Sequence, residues 1–121
     1  MTQLTISLSG DGRAVMRSLT EIFESTTLTS GEPKEIPGGA TVTLQPMQER
    51  RALTFDAGHA MELVMTAASG VGLNLASSYI YDKLKGGKGK VELSVNRRIT
   101  EIDEGQVTRV IEEEMKFTKN A

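Results

Sequence analysis

There is no cysteine in the 121 residues of this chain, no tryptophan, and a single histidine. The first absence excludes a disulfide framework, a thiolate nucleophile and thiolate-bound zinc. It fits a reducing compartment, so a cytoplasmic location is the default. The aromatics are only Phe23, Phe55, Phe117, Tyr79 and Tyr81. Few rings are therefore available to anchor an interface or to stack on unpaired bases, which counts against a single-stranded nucleic-acid binder. His59 and Glu62 stand at i,i+3 on an expected helix, the spacing of half a dinuclear carboxylate site. The other half would need a second histidine, so His59 reads as a structural or surface residue. A Ser-His-Asp triad would have only His59 to build on, and no nucleophile-elbow sequence is present. Asp56 nearby reads as a helix cap. An excess of one charge sign is also lacking. Fourteen basic against 16 acidic residues give a net charge of −2, with no global pull on nucleic acid. The composition points to no enzyme, no cofactor and no metal site.

What is present is one domain's length of chain, 1–121, enough to bury roughly 65–70% of its unfolded surface without a staple. Its most conspicuous feature is an uncharged run of nineteen residues, Leu63 to Tyr81. About 20 apolar residues cross a bilayer, so the length suits a span. The content does not: Thr66, Ser69, Asn74, Ser77 and Ser78 are polar, and an Asn near the middle of a span is costly. The run is expected to be buried inside a soluble domain. Ala68, Gly72 and Ala76 recur every four residues. In a bilayer that row would be a helix-pairing face; in a soluble fold it lets another element approach closely.

Along the chain, Leu4, Ile6 and Leu8 alternate with Thr5, Ser7 and Ser9, a half-buried strand rather than a signal peptide. Asp11 is the expected N-cap of a helix from Arg13 to Ser25, with Val15, Met16, Leu19, Ile22 and Phe23 on one face. Residues 26–39, with Pro33, Pro37 and Gly38-Gly39, read as an exposed loop. Thr41 to Gln45 is a strand and Ala52 to Phe55 an optional short one. Residues 56–85 read as an apolar helical core segment, broken near Gly70-Val71-Gly72 and ended by Gly86-Gly87. Val91 to Val95 pairs with Arg98 to Ile102 across an Asn96-Arg97 turn. Asp103 and Gln106 form a capping-box-like pair, with Ile102 and Val107 as a hydrophobic staple. The last helix, Asp103 to Lys116, has an apolar stripe of Val107, Val110, Ile111 and Met115 and a Glu112–Lys116 pair; residues 117–121 are a tail. The order β-α-β-(β)-α-α-β-β-α predicts an α+β fold, a small mostly antiparallel sheet with helices on one face.

Two segments invite a functional reading. Ser9-Gly10-Asp11-Gly12-Arg13 opens a helix after a strand, where phosphate loops occur. It lacks the Gly-Lys-Ser/Thr ending and the third glycine of the nucleotide fingerprints, and Asp11 would repel a phosphate. Lys83, Lys85, Lys88, Lys90, Arg97 and Arg98 gather six of the 14 basic residues within sixteen positions. They form a candidate anionic contact, for a nucleic-acid backbone, a lipid headgroup or an acidic partner, against the alternative of a solvated helix end and hairpin complementing the helix dipole. The following helix is acidic, with Glu101, Asp103, Glu104 and Glu112-Glu113-Glu114. A surface polarised in this way suits protein recognition or self-association.

Ile6-Ser7-Leu8-Ser9-Gly10-Asp11 followed by Met16-Arg17-Ser18-Leu19-Thr20-Glu21-Ile22-Phe23 resembles the opening of the effector-associated constant component domains of bacterial conflict systems. The order of Ala67 to Leu84, Lys85 to Val95 and Val107 to Glu112 follows the same family pattern. Phe23 stands near the place of the family's tryptophan, and the loop from Leu28 to Gly39 is longer. The resemblance implies a non-catalytic adaptor that recruits or couples effector domains, with no active-site residue to carry over. The expected function is therefore a protein-binding module, an adaptor or a dedicated inhibitor of the immunity type. Its expected partner is an effector or toxin, or a second copy of itself. A membrane-associated protein using 63–81, or a nucleic-acid binder using 83–98, is the alternative.

Overall fold

A computed structural model describes residues 2–45, 59–67 and 72–120. Strand β1 (Thr2–Gly10) leads into helix α1 (Gly12–Phe23). Strands β2 (Pro33–Ile36), β3 (Ala40–Leu44) and β4 (His59–Ala67) follow, then helix α2 (Leu73–Leu84) and a 3-10 turn over Lys85–Gly87. Strands β5 (Val91–Val95) and β6 (Arg98–Thr100) and helix α3 (Glu104–Asn120) complete the chain. The six strands form one sheet in the order β2-β3-β4-β1-β5-β6, and every pairing is antiparallel. The fold is α+β, as the sequence predicts.

The period-2 pattern decides which face is buried. Leu4, Ile6 and Leu8 of β1 stand opposite Met65, Leu63 and Met61 of β4, and Val95 and Leu93 of β5 stand opposite Ile6 and Leu8. All of these are buried, each contributing about 1.5–3 kcal/mol. The intervening Gln3, Glu62, Glu92 and Ile99 are exposed, while Thr5, Ser7, Val64 and Ser94 are half-buried. Helices α1 and α3 lie against β1, and α2 packs between α1 and α3. One face is thus roofed by helices and the other is left polar.

The largest correction falls on 56–85. Residues 59–67 are not helical: they form β4, a central strand paired on both sides. The sequence Met61-Glu62-Leu63-Val64-Met65-Thr66-Ala67 alternates only loosely, because Val64 lies on the open face, and so an apolar helix looked equally acceptable. The uncharged run Leu63 to Tyr81 is therefore divided between a strand and a helix of 12 residues. Among the described residues no helix is long and apolar enough to cross a membrane, a statement about helices alone. A break near Gly70–Gly72 is consistent with α2 starting at Leu73 after Gly72 at φ 88°. Ala52–Phe55 and Asp56 lie outside the described residues.

Smaller corrections share one cause: short or charged elements carry little pattern. Pro33–Ile36, inside the expected loop 26–39, is an edge strand paired with β3. Its proline starts it at the sheet edge, where no ladder donor is required. The expected tail at 117–121 is helical through Asn120. The Glu112–Lys116 pair is replaced by Arg109 Nε to Glu113 Oε2 at 3.5 Å.

Local signals elsewhere are realised in hydrogen bonds. Asp11 Oδ1 accepts from Arg13 N at 2.9 Å and from Ala14 N at 3.1 Å. Asp103 Oδ2 accepts from Gln106 N at 3.3 Å. Asn96 and Arg97 take φ 50° and 70°, the left-handed pair that a two-residue hairpin requires. Asn96 also extends the sheet, accepting from Thr5 N through its side-chain oxygen at 2.9 Å and donating its own N–H to Thr5 O at 2.7 Å. At the opposite edge Gly38 and Gly72, at φ 92° and 88°, meet backbone to backbone. A Cβ on Gly38 would collide with Gly72 O and lie 3.0 Å from Ala76 N. Gly72 and Ala76 allow a close approach here: they admit the β2–β3 turn onto the start of α2, while Ala68 lies outside the described residues.

Candidate functional site

The six basic residues of 83–98 do not form one patch. Lys90 and Arg97 flank β5, whose residues rise about 3.3 Å each, so the two lie about 20 Å apart. Arg97 occupies the β5–β6 turn. Arg98 turns to α3, with its guanidinium 2.7 Å from Glu113 Oε1 and 3.6 Å from Glu114 Oε2. Its charge is already neutralised. The hydrogen bond from Arg98, reinforced by its charge and that of Arg109, holds the Glu113 carboxyl below its ordinary range. Lys85 pairs with Asp82 at 2.8 Å, and Lys83 Nζ sits 5.2 Å from the centre of the Tyr79 ring. Lys88 and Lys90 remain exposed and without an ion pair among the described residues.

Lys90 is joined by two arginines that sequence spacing does not connect to it. Gly10 ends β1 at φ 126°, where a Cβ would strike Lys90 O, and Asp11 N donates to Lys90 O at 3.0 Å. This clamps the loop 85–90 against the start of α1. Arg13 and Arg17, one helical turn apart and both exposed, therefore project beside Lys90. Between them lies a groove of about 400 Å³ lined by Arg13, Arg17, Ser18, Gly86, Gly87 and Lys90, with Asp11 and Glu21 also at its wall. Its floor is Ser18, only 2% exposed, whose Oγ lies 3.4 Å from where a Cβ on Gly87 would be. Asp11 is held below the ordinary carboxylate range, chiefly by the Ala14 N–H and also by the Arg13 N–H and the charges of Lys90 and Arg13. The signal for Arg13 and Arg17 was present as an i,i+4 pair on α1. Their proximity to Lys90 is a tertiary fact.

Two other depressions flank this end and the helix layer. One of about 590 Å³ runs along Lys88–Glu92 and Ile99–Ile102, where Ile99 is 67% exposed. The other, about 600 Å³, lies between α2 and α3 and mixes Arg109 and Lys116 with Glu104, Glu112 and Glu113. Among the described residues no group of three or more His, Cys, Asp or Glu is placed to hold a metal. The His59–Glu62 spacing loses its meaning, because i,i+3 shares a face on a helix but not on a strand. Comparison of the chain with protein-family models, with curated proteins and with solved structures gives no match.

Proposed function

We propose that this chain is a non-enzymatic protein-binding module of a bacterial conflict system, an adaptor or dedicated inhibitor acting in the cytoplasm. Its contact surface for an acidic effector or toxin is the end of the molecule carrying Arg13, Arg17, Lys88 and Lys90. The observation that carries this reading is electrostatic. These four cations are exposed on adjoining elements and form no ion pair among the described residues, while Arg98 is spent on α3. Such a local surplus on a chain of net charge −2 steers an oppositely charged partner and penalises wrong ones. The acidic α3, with Glu104, Glu112 and Glu114, supplies the opposite pole.

The test uses the purified products of neighbouring genes, measured against the full chain by titration calorimetry. One of them binds the wild-type chain, and Arg17→Glu with Lys90→Glu weakens that binding at least about tenfold, as loss of close charge complementarity should. Unchanged affinity in the double variant, or turnover of a substrate by the chain alone, rejects the proposal. A parallel arm uses a short duplex and a single strand. Affinity falling steeply and linearly with log salt there would replace the protein partner with nucleic acid.

A further inference from the structure

We propose that β6 pairs with β6 of a second copy of this chain, joining two six-stranded sheets edge to edge in a symmetric dimer. Among the described residues β6 has a neighbouring strand on one side only, because it ends the sheet order. The strand beside it fixes which of its backbone groups are open. Asn96 N donates to Thr5 O, so Asn96 and Ser94 direct their backbone groups to β1, and Leu93 and Val95 direct theirs to β6. Leu93 and Val95 stand opposite Thr100 and Arg98. The N–H and C=O of Ile99, between those two, therefore point away from the sheet. Neither has a partner among the described residues. The Ile99 side chain lies on the open face, opposite Ser94, and is 67% exposed.

This edge is complementary to itself. In an antiparallel pairing centred on Ile99, each Ile99 N–H donates to the C=O of the other, and the two exposed side chains meet across the two-fold axis. Arg97 of each copy then faces Glu101 of the other. Residues opposed in this way are about 5.5 Å apart at Cα, within reach of an ion pair. Arg97 and Glu101 are both exposed and have no ion pair among the described residues. Short, charged edges normally discourage pairing. Here Arg98 is turned onto α3, 2.7 Å from Glu113, and the charges left on either side of Ile99 are opposite in sign. The same α3 stripe carries Phe117 one turn beyond Glu113, and Phe117 is 73% exposed, a second apolar side chain bordering this edge. The paired strands are short, so the dimer is a weak one. The surface shares no residue with the cationic end proposed to meet an effector, and either reading can fail alone.

Sedimentation equilibrium of the full chain from about 10 μM to about 1 mM covers the affinities of weak interfaces. The wild-type chain should pass from monomer to dimer within it. Ile99→Lys sets like charges against each other at the axis, and the side chain is exposed, so the fold should be kept. Glu101→Arg and Arg97→Asp do the same on either side; Asp suits the left-handed backbone of position 97, at φ 70°. Each of the three should weaken dimerisation at least about tenfold, because cross-strand charge pairs change sign twice in a symmetric dimer. An equimolar mixture of Arg97→Asp and Glu101→Arg should recover a heterodimer, since every facing pair is then opposite in charge. Arg17→Glu with Lys90→Glu should leave dimerisation unchanged. A chain that stays monomeric throughout, a dimer indifferent to Ile99→Lys, a mixture that stays monomeric, or a dimer lost in the Arg17 and Lys90 double variant overturns the proposal.

Discussion

The turn between β2 and β3 provides a matched pair of substitutions for testing how closely it approaches α2. Gly38 and Gly39 are adjacent, and both have left-handed backbones, φ 92° and 74°. Alanine at either position incurs a conformational cost of about 1–2 kcal/mol. They differ in what a Cβ would meet. At Gly39 nothing lies within 4 Å. At Gly38 the Cβ overlaps the Gly72 carbonyl oxygen and comes to 3.0 Å from Ala76 N and the Gly72 carbonyl carbon. These are backbone atoms and cannot rotate away, so the turn must retreat from α2. Overpacking of this kind costs about 1–3 kcal/mol more. Gly39→Ala should therefore cost about 1–2 kcal/mol, and Gly38→Ala about 2–5 kcal/mol. Urea unfolding followed by circular dichroism measures both, with the midpoint shifting at constant m. Since Gly72 faces Gly38, Gly72→Ala combined with Gly38→Ala should cost less than the sum of the singles, because the turn has already retreated. Equal costs at Gly38 and Gly39, or strict additivity with Gly72, would refute the close approach.

Other expectations test the strand, the acid response and the helix layer. Met65→Ala, fully buried on β4, should cost about 2–5 kcal/mol, whereas Val64→Thr on the open face should stay within about 0.5 kcal/mol; comparable losses would return 59–67 to a helix. Asp11, Asp82 and Glu113 have carboxyls held below their ordinary values of 3.8 and 4.5. The folded state therefore binds fewer protons than the unfolded one through that range. The stability they contribute is full above those values and is lost as pH falls through the lower folded ones. Asp11→Asn keeps a capping side chain, so it should flatten the acid limb of a stability–pH curve while changing little at the acid end, below the lowered folded value; an unaltered limb would show that Asp11 titrates normally. Asn96→Ala removes the acceptor for Thr5 N and the donors to Thr118 and Glu114, and substitutes a left-handed position. It should destabilise the protein by about 1–3 kcal/mol and raise amide exchange in the last turns of α3; unchanged exchange there would break the link.

Much of this architecture is local, and the sequence determines it. The alternation of Leu4, Ile6 and Leu8, the caps at Asp11 and Asp103, the Asn96-Arg97 turn and the stripe Val107-Val110-Ile111-Met115 each depend on neighbours a few residues away, and all are found in place. Tertiary structure decided what depends on distant partners. Whether 59–67 is strand or helix is settled by β1 and β3 on either side of it, since its own pattern serves both. Ser18 is buried although its type is polar, because the Gly86-Gly87 loop closes over it. The basic residues of 83–98 lie close together in sequence, yet β5 carries Arg97 and Arg98 away from Lys88 and Lys90, and the Gly10–Lys90 contact brings Arg13 and Arg17 to Lys90 instead. A strand separates its two ends by its length, while a clamp between β1 and the loop before β5 joins residues more than seventy positions apart. The sequence alone therefore determined that the chain carries a basic cluster, and only the fold decided which cations form it.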